Sequence, residues 1–183
     1  MIGLLPMALE VDGVEYEINT DYRDVLDLFE MLNDPSTGAT AKILNMIDGL
    51  FYPNCPSDTA EAQKKAAWFL DVGGVSEADG GAKKPKVIDY KQDEQFIFAA
   101  VNALVGYDVR SLDYMHWWTF YGLCQSISQD SLIMHIMNIR GKMAKCEKLE
   151  KHERKFYNEN KYMIDLRRDD AARDIIMQAL RGE

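Results

Sequence analysis

The hydrophobic positions near the start of the chain alternate with acidic ones, which predicts a β-hairpin. Within the stretch ALEVDGVEYEI, residues 8–18, Asp12-Gly13 is a favoured two-residue turn. This turn sets Val11 opposite Val14 and Leu9 opposite Tyr16. One face then carries five apolar side chains: Leu9, Val11, Val14, Tyr16 and Ile18. The other face carries Glu10, Glu15 and Glu17. We expect the apolar face to pack on helices, because an isolated two-stranded sheet is marginal in water.

After the hairpin the apolar positions recur with the 3.6-residue period of amphipathic helices. The predicted helices cover residues 21–32, 39–51, 58–71, 90–105, 112–127 and 131–140, then a long charged element at 142–166 and a last helix at 170–180. Asp58 and Ser111 are the expected caps of two of them, and Gly106 ends a third. Residues 73–86 are rich in glycine and predict a mobile loop. The predicted fold is mainly α: one compact multi-helix domain over residues 1–183, with a β-hairpin arm at 1–19 and an appended helix at 167–183.

The run DYMHWWTFY, residues 113–121, concentrates aromatic side chains in the fifth predicted helix. The spacing i, i+3, i+4, i+7 places Tyr114, Trp117, Trp118 and Tyr121 on one helix face. We expect this helix at the centre of the core; the alternatives are a partner interface and a base-stacking platform. A stacking platform needs a positive groove, and the neighbours Asp108 and Asp113 are acidic.

His116 lies within the same run. A helical metal site needs a second ligand at i+4, and Phe120 holds that place. We therefore predict that the imidazole bonds to a backbone carbonyl or a carboxylate.

Composition and charge narrow the class of protein. The chain has 183 residues, of which 47% are hydrophobic and 28% charged, as in globular proteins. Residues 1–80 carry a net charge of −11, whereas residues 140–168 carry +5. These regions can attract each other, within one molecule or between copies, unless they are simply solvated helix faces. The total of −9 disfavours nucleic acid as a partner. No apolar run approaches a membrane span and no signal peptide is evident, so we expect a cytoplasmic protein without a membrane partner.

The sequence lacks recognisable catalytic chemistry. The three cysteines include no CxxC pair, and phosphate-binding, dinucleotide-binding, zinc-protease and serine-hydrolase motifs are missing. Asp93 and Glu94 are adjacent on a predicted helix, so they point apart. We expect no enzymatic activity, no catalytic residues, no cofactor and no metal.

Three stretches taken in order carry a family resemblance. They are TDYRDVLDLFEMLNDP at residues 20–35, DYKQDEQFIFAAVNALVGYDVRSLDYMHWWTFYGL at 89–123, and EKHERKFYNENKYMIDL at 150–166. The second holds D-x-x-x-I-x-A-A followed by D-Y-x-H-W-W. Together they resemble a family of small tail-morphogenesis proteins of tailed phages and prophages of Gram-positive bacteria, encoded ahead of the tape-measure gene. The loop 73–86 and the helix after residue 166 depart from that pattern.

The resemblance implies a tail assembly chaperone. Such a protein binds the tape-measure protein, alongside other tail assembly proteins, in the host cytoplasm and is absent from the finished virion. A structural minor tail or terminator protein and a phage-encoded modulator of a host protein are the alternatives. We also predict self-association through the hairpin and a basic helix over residues 142–155. The basic side chains of that segment are Lys142, Lys145, Lys148, Lys151, Arg154 and Lys155.

Overall fold

The computed structural model describes residues 3–74 and 85–166, and these form a mainly helical protein with an N-terminal antiparallel hairpin. The hairpin strands are β1 (Ala8–Val11) and β2 (Val14–Glu17). The helices are α1 (Tyr22–Asn33), α2 (Ala39–Phe51), α3 (Thr59–Leu70), α4 (Glu94–Val105), α5 (Trp117–Gln125), α6 (Leu132–Ala144), α7 (Lys151–Glu159) and α8 (Lys161–Ile164), with a 3₁₀ turn at Val109–Ser111. This confirms the predicted fold class.

The chain divides into two compact units. Unit 1 comprises Met1–Ala82 and Val101–Ile127, and unit 2 comprises Lys83–Ala100 and Ser128–Glu183. The single domain over residues 1–183 stays a prediction. The loop predicted at 73–86 lies largely outside the described residues, and the helix predicted at 167–183 lies entirely outside them.

The hairpin has the predicted register. Val11 pairs with Val14 and Leu9 with Tyr16. Asp12 and Gly13 have φ angles of 51° and 73°, as a type I′ turn requires. The prediction of a fully docked apolar face was wrong at Val14, which is 52% exposed. The strand that packs against α3 is β1, whereas Val14 begins β2 beside the turn.

Unit 1 is built around α1, α2, α3 and α5. Asp21 caps α1 by accepting from the Arg23 N–H, and Asp58 caps α3 as predicted. The apolar periodicity of the sequence predicts buried helix faces that include Leu26 on α1 and Leu44 on α2, and both predictions were wrong. Leu28, not Leu26, is buried on α1, because α1 packs against both α2 and α5; Leu44 on α2 is exposed. The largest fully buried side chains of unit 1 include Tyr22, Leu50, Phe51, Phe69, Trp117 and Phe120.

Helix boundaries differ from the predictions around unit 2. Helix α4 begins at Glu94 and not at 90, because residues 90–93 form turns in which the Asp89 carboxylate accepts from the Gln92 N–H. The apolar periodicity also predicts a buried face on α4 that includes Leu104, but Leu104 is exposed. Helix α6 continues through Gly141 to Ala144.

The long basic helix predicted from Lys142 is interrupted. Cys146 takes a φ of 57°, and the Glu147 N–H donates to the Lys142 carbonyl, which ends α6. A reciprocal capping box between Glu150 and Glu153 then starts α7. The apolar centre of unit 2 is formed by Ile136, Ile139 and Ile164.

Candidate functional site

The D-Y-x-H-W-W segment, residues 113–118, connects α5 to the start of α1 and to the end of α3, and we call it the junction of unit 1. Helix α5 begins at Trp117, so the prediction of a helix from residue 112 was wrong. Tyr114 precedes the helix and does not share a helical face with Trp117, Trp118 and Tyr121. The helix begins late because the residues before it pair with the start of α1. The Trp117 N–H donates to the Thr20 carbonyl at 2.7 Å, and the Tyr22 N–H donates to the Met115 carbonyl at 3.0 Å. The Ser111 hydroxyl donates to the Asp108 carbonyl and caps no helix.

His116 connects three parts of unit 1. Its Nδ1 accepts from the Trp118 N–H at 3.0 Å, which caps the N-terminus of α5. Since Nδ1 is an acceptor, Nε2 carries the proton and donates to the Pro6 carbonyl at 3.0 Å. The ring is 4% exposed. The predicted bond to a backbone carbonyl is confirmed.

Substitutions at His116 should separate its role as the cap of α5 from its hydrogen bond to the Pro6 carbonyl. We expect His116→Asn to lower the free energy of unfolding by about 1 kcal/mol, since asparagine still caps a helix but cannot reach Pro6. His116→Ala loses both bonds and should cost about 2–3 kcal/mol. Urea unfolding measures both, with the exposed His152→Ala as control. Equal losses for the asparagine and alanine variants would refute the capping role.

The two tryptophans of the junction cap a different helix. The indole N–H of Trp117 donates to the Leu70 carbonyl at 3.1 Å, and that of Trp118 to the Phe69 carbonyl at 2.9 Å. These carbonyls belong to the last turn of α3, where helices leave acceptors unsatisfied. Trp117 is 1% exposed, while Trp118 is half-buried with its ring 5.4 Å from that of Trp68. The pair therefore joins α5 to α3 in the core.

A second polar centre lies in unit 2, and sequence reasoning missed it. Arg140 and Asp93 form a bidentate ion pair, and their side chains are 4% and 0% exposed. Arg140 also donates to the carbonyls of Val87, Met163 and Ile164, so all five of its N–H groups have acceptors. Asp93 is the aspartate of D-x-x-x-I-x-A-A. The sequence signal that could have revealed the pair is that Asp93 and Arg140 each fall on the apolar face of a predicted helix.

An apolar surface adjoins the junction in unit 1. Leu4, Leu5, Met7 and Tyr114 are between 42% and 65% exposed. We call these four residues the N-terminal patch. The Met7 sulfur lies 3.8 Å from the Tyr114 hydroxyl, which in turn lies 2.7 Å from the Thr20 hydroxyl. These contacts hold Met7 and Tyr114 of the patch on the folded unit. The apolar run at residues 2–9, interrupted by Pro6, was its signal in the sequence.

The predicted basic residues are divided among three environments. Lys142 is bound to Glu153 at 2.6 Å, and this bond lowers the pKa of the Glu153 carboxyl. Lys145 is exposed in the turn after α6. The other four cations line a groove of about 860 Å³ along α7. The residues of this basic groove are Lys148, Leu149, Glu150, Lys151, Arg154, Lys155, Asn158 and Glu159.

Comparison with known protein families gives a match over most of the chain. The family model described as Bacteriophage Gp15 protein matches residues 1–166. The chain belongs to this family. No curated protein matches the chain, and no solved structure matches it.

The match to the Gp15 family model covers the hairpin, His116 and the pair of Asp93 and Arg140. The match includes Pro6, Asp93, His116 and Arg140, and it ends where the described part of the chain ends. Within residues 3–74 and 85–166, no three metal-binding side chains are grouped to hold an ion. In the same ranges, no helix is long and apolar enough to cross a membrane. The hydrogen bonds of Asp93, His116 and Trp117 show that these motif residues of the Gp15 family member hold its fold together.

The cysteines of this Gp15 family member differ in their surroundings. All three are free thiols; Cys146 is exposed, whereas burial raises the pKa of Cys124 to about 12. At pH 8 the thiolate fraction of Cys124 is then roughly one in ten thousand. We expect iodoacetamide to label Cys146 readily and Cys124 only after denaturation, as read by peptide mass spectrometry. Equal labelling rates in the native protein would contradict the described packing of α5.

Proposed function

We propose that this Gp15 family member is a tail assembly chaperone that binds the tape-measure protein during tail morphogenesis and does not enter the finished particle. Membership in a bacteriophage protein family supports the phage context. The resemblance of the three motif stretches to tail-morphogenesis proteins supports the more specific role. The protein acts by binding and carries out no chemical reaction.

The observation that carries the proposal is the N-terminal patch. A tape-measure protein is a long helical chain whose apolar seams are exposed until the tail tube encloses them. Leu4 and Met7 are 65% and 55% exposed, and such side chains grouped together mark a binding surface more often than isolated ones do. An amphipathic helix presents a matching stripe at i, i+3, i+4 and i+7.

The backbone beneath the patch is already ordered before a partner arrives. The Met7 carbonyl accepts from the Ile18 N–H at 3.1 Å, and the Pro6 carbonyl accepts from His116. Binding then costs less conformational entropy than it would on a loose segment. A small patch also keeps each contact weak enough to be released when the tube polymerises, while many copies along one chain give the required total affinity.

Copurification tests the proposal. The tape-measure product is coexpressed with the tagged full chain, and we expect it to be recovered with the tag and to stay soluble. A tape-measure product that remains insoluble and is not recovered would refute the binding role. Mass spectrometry of purified particles then separates a chaperone from a structural minor tail or terminator protein. The chain should be missing from particles, and its presence at a fixed copy number would favour the structural role.

A further inference from the structure

The basic groove of unit 2 carries cations that have no acidic partner among the described residues. Two other cations of this unit do have acidic partners: Arg140 pairs with Asp93, and Lys142 pairs with Glu153. Lys148, Lys151, Arg154 and Lys155 are exposed, and no ion pair involves them there. Against Glu150 and Glu159, they leave the lining with a net charge of +2.

The hairpin of unit 1 carries the opposite charge. Its ten residues 8–17 include four acidic side chains and no basic one. Glu10 and Glu15 face each other directly across the two strands, and both are exposed. Like charges placed directly opposite in a sheet are destabilising. A cationic surface that covers this face would remove that repulsion.

The spacing of the two sets of charges agrees. On a helix, Lys151 and Lys155 at i and i+4 have Cβ atoms about 5–6 Å apart. Directly opposed residues on a hairpin, such as Glu10 and Glu15, have Cβ atoms about 4.5–5.5 Å apart. One turn of α7 can therefore meet both carboxylates at once.

We infer that the basic groove binds the acidic hairpin face of a second copy of this chain. Leu9, Val11 and Ile18 are buried within unit 1, so the side chains offered to the second copy are the glutamates. Within the described residues β2 pairs with β1 alone, which leaves the hairpin accessible along that strand. The contact is mainly electrostatic and weakens with salt. It does not depend on the proposed function.

A charge exchange between copies tests this inference. Sedimentation equilibrium of the full chain at 20 mM salt should give a mass above 20.9 kDa that rises with concentration and falls to the monomer at 500 mM salt. Lys151→Glu with Arg154→Glu should weaken association at least tenfold, and so should Glu10→Lys with Glu15→Lys. Mixing the two variants restores both kinds of contact and should restore the mass. A monomeric wild type, or a mixture that stays monomeric, would overturn the inference.

Two further measurements keep the result specific. Asp27→Asn with Asp130→Asn removes two exposed acidic charges elsewhere and should leave the mass unchanged. Fluorescence anisotropy with a labelled 20-nucleotide DNA tests the other occupant that a basic groove can take. Tight DNA binding that is lost in the Lys151→Glu, Arg154→Glu variant, with no change in mass, would overturn the inference in favour of nucleic acid.

Discussion

Arg140→Met is expected to destabilise unit 2 by about 3–5 kcal/mol, because removing one partner of a buried ion pair leaves an uncompensated charge. Asp93 would remain fully buried without its cation, and the carbonyls of Val87, Met163 and Ile164 would lose the hydrogen bonds from Arg140. Hydrogen exchange read by mass spectrometry on peptides from residues 128–166 measures the loss, since the opening free energy of each segment sets its protection.

The matched control for this prediction is Arg110→Met, which removes an arginine from the exposed pair with Asp108. Surface pairs contribute little, so protection should hardly change. The double variant Asp93→Leu, Arg140→Met removes both buried charges and should recover part of the loss. It should not recover all of it, since the three carbonyls still lack the hydrogen bonds that Arg140 donated. Wild-type protection in Arg140→Met would show that the pair does not hold unit 2 together.

Trp117→Ala is expected to lower the free energy of unfolding of unit 1 by about 3–5 kcal/mol, the usual cost of truncating a buried large aromatic. Trp117 is 1% exposed and packs edge-on against Phe29, with ring centroids 5.4 Å apart. Its loss also leaves the Leu70 carbonyl without the indole donor. Urea unfolding followed by circular dichroism measures the change, because tryptophan fluorescence would be altered by the substitution itself.

Trp68→Ala is the control, since this neighbouring tryptophan is 37% exposed and buries much less surface. Its cost should be clearly smaller than that of Trp117→Ala. Trp117→Phe keeps most of the apolar volume but loses the indole N–H donor. Its loss of unfolding free energy should therefore fall between those of Trp68→Ala and Trp117→Ala, at about 1–3 kcal/mol. If Trp117→Ala costs no more than Trp68→Ala, the junction is not the centre of unit 1.

Local patterns in the sequence were sufficient to predict the positions of the hairpin and of the first three helices. The type I′ turn at Asp12-Gly13 and the cap at Asp58 depend on neighbouring residues alone, so they could be predicted. The start of α5 could not be predicted in this way. Helical periodicity extended back to Tyr114, but pairing of residue 116 with the start of α1 holds the preceding segment extended. That partner is nearly a hundred residues away in sequence.

The candidate site shows the same limit. The aromatic run indicated a core, and Trp117 is indeed buried. Its role as a cap for α3 needed the position of the Leu70 carbonyl, which no local pattern contains. The buried pair of Asp93 and Arg140 joins residues 47 apart in sequence, and neither charge alone indicates its partner. Long-range partners of polar groups were what the sequence could not supply.

We propose that the N-terminal patch binds the tape-measure protein, while the buried motif residues Asp93, His116 and Trp117 maintain the fold. The direct measurement is the affinity of immobilised tape-measure protein for the full chain and for the variant Leu4→Ser with Leu5→Ser, which changes two exposed residues of the patch. Leu44→Ser with Tyr52→Ser, which changes two exposed apolar residues outside the patch, is the control. We predict at least a tenfold loss for the patch variant at unchanged thermal stability, and wild-type affinity for the control. Equal affinities for all three proteins would contradict the claim.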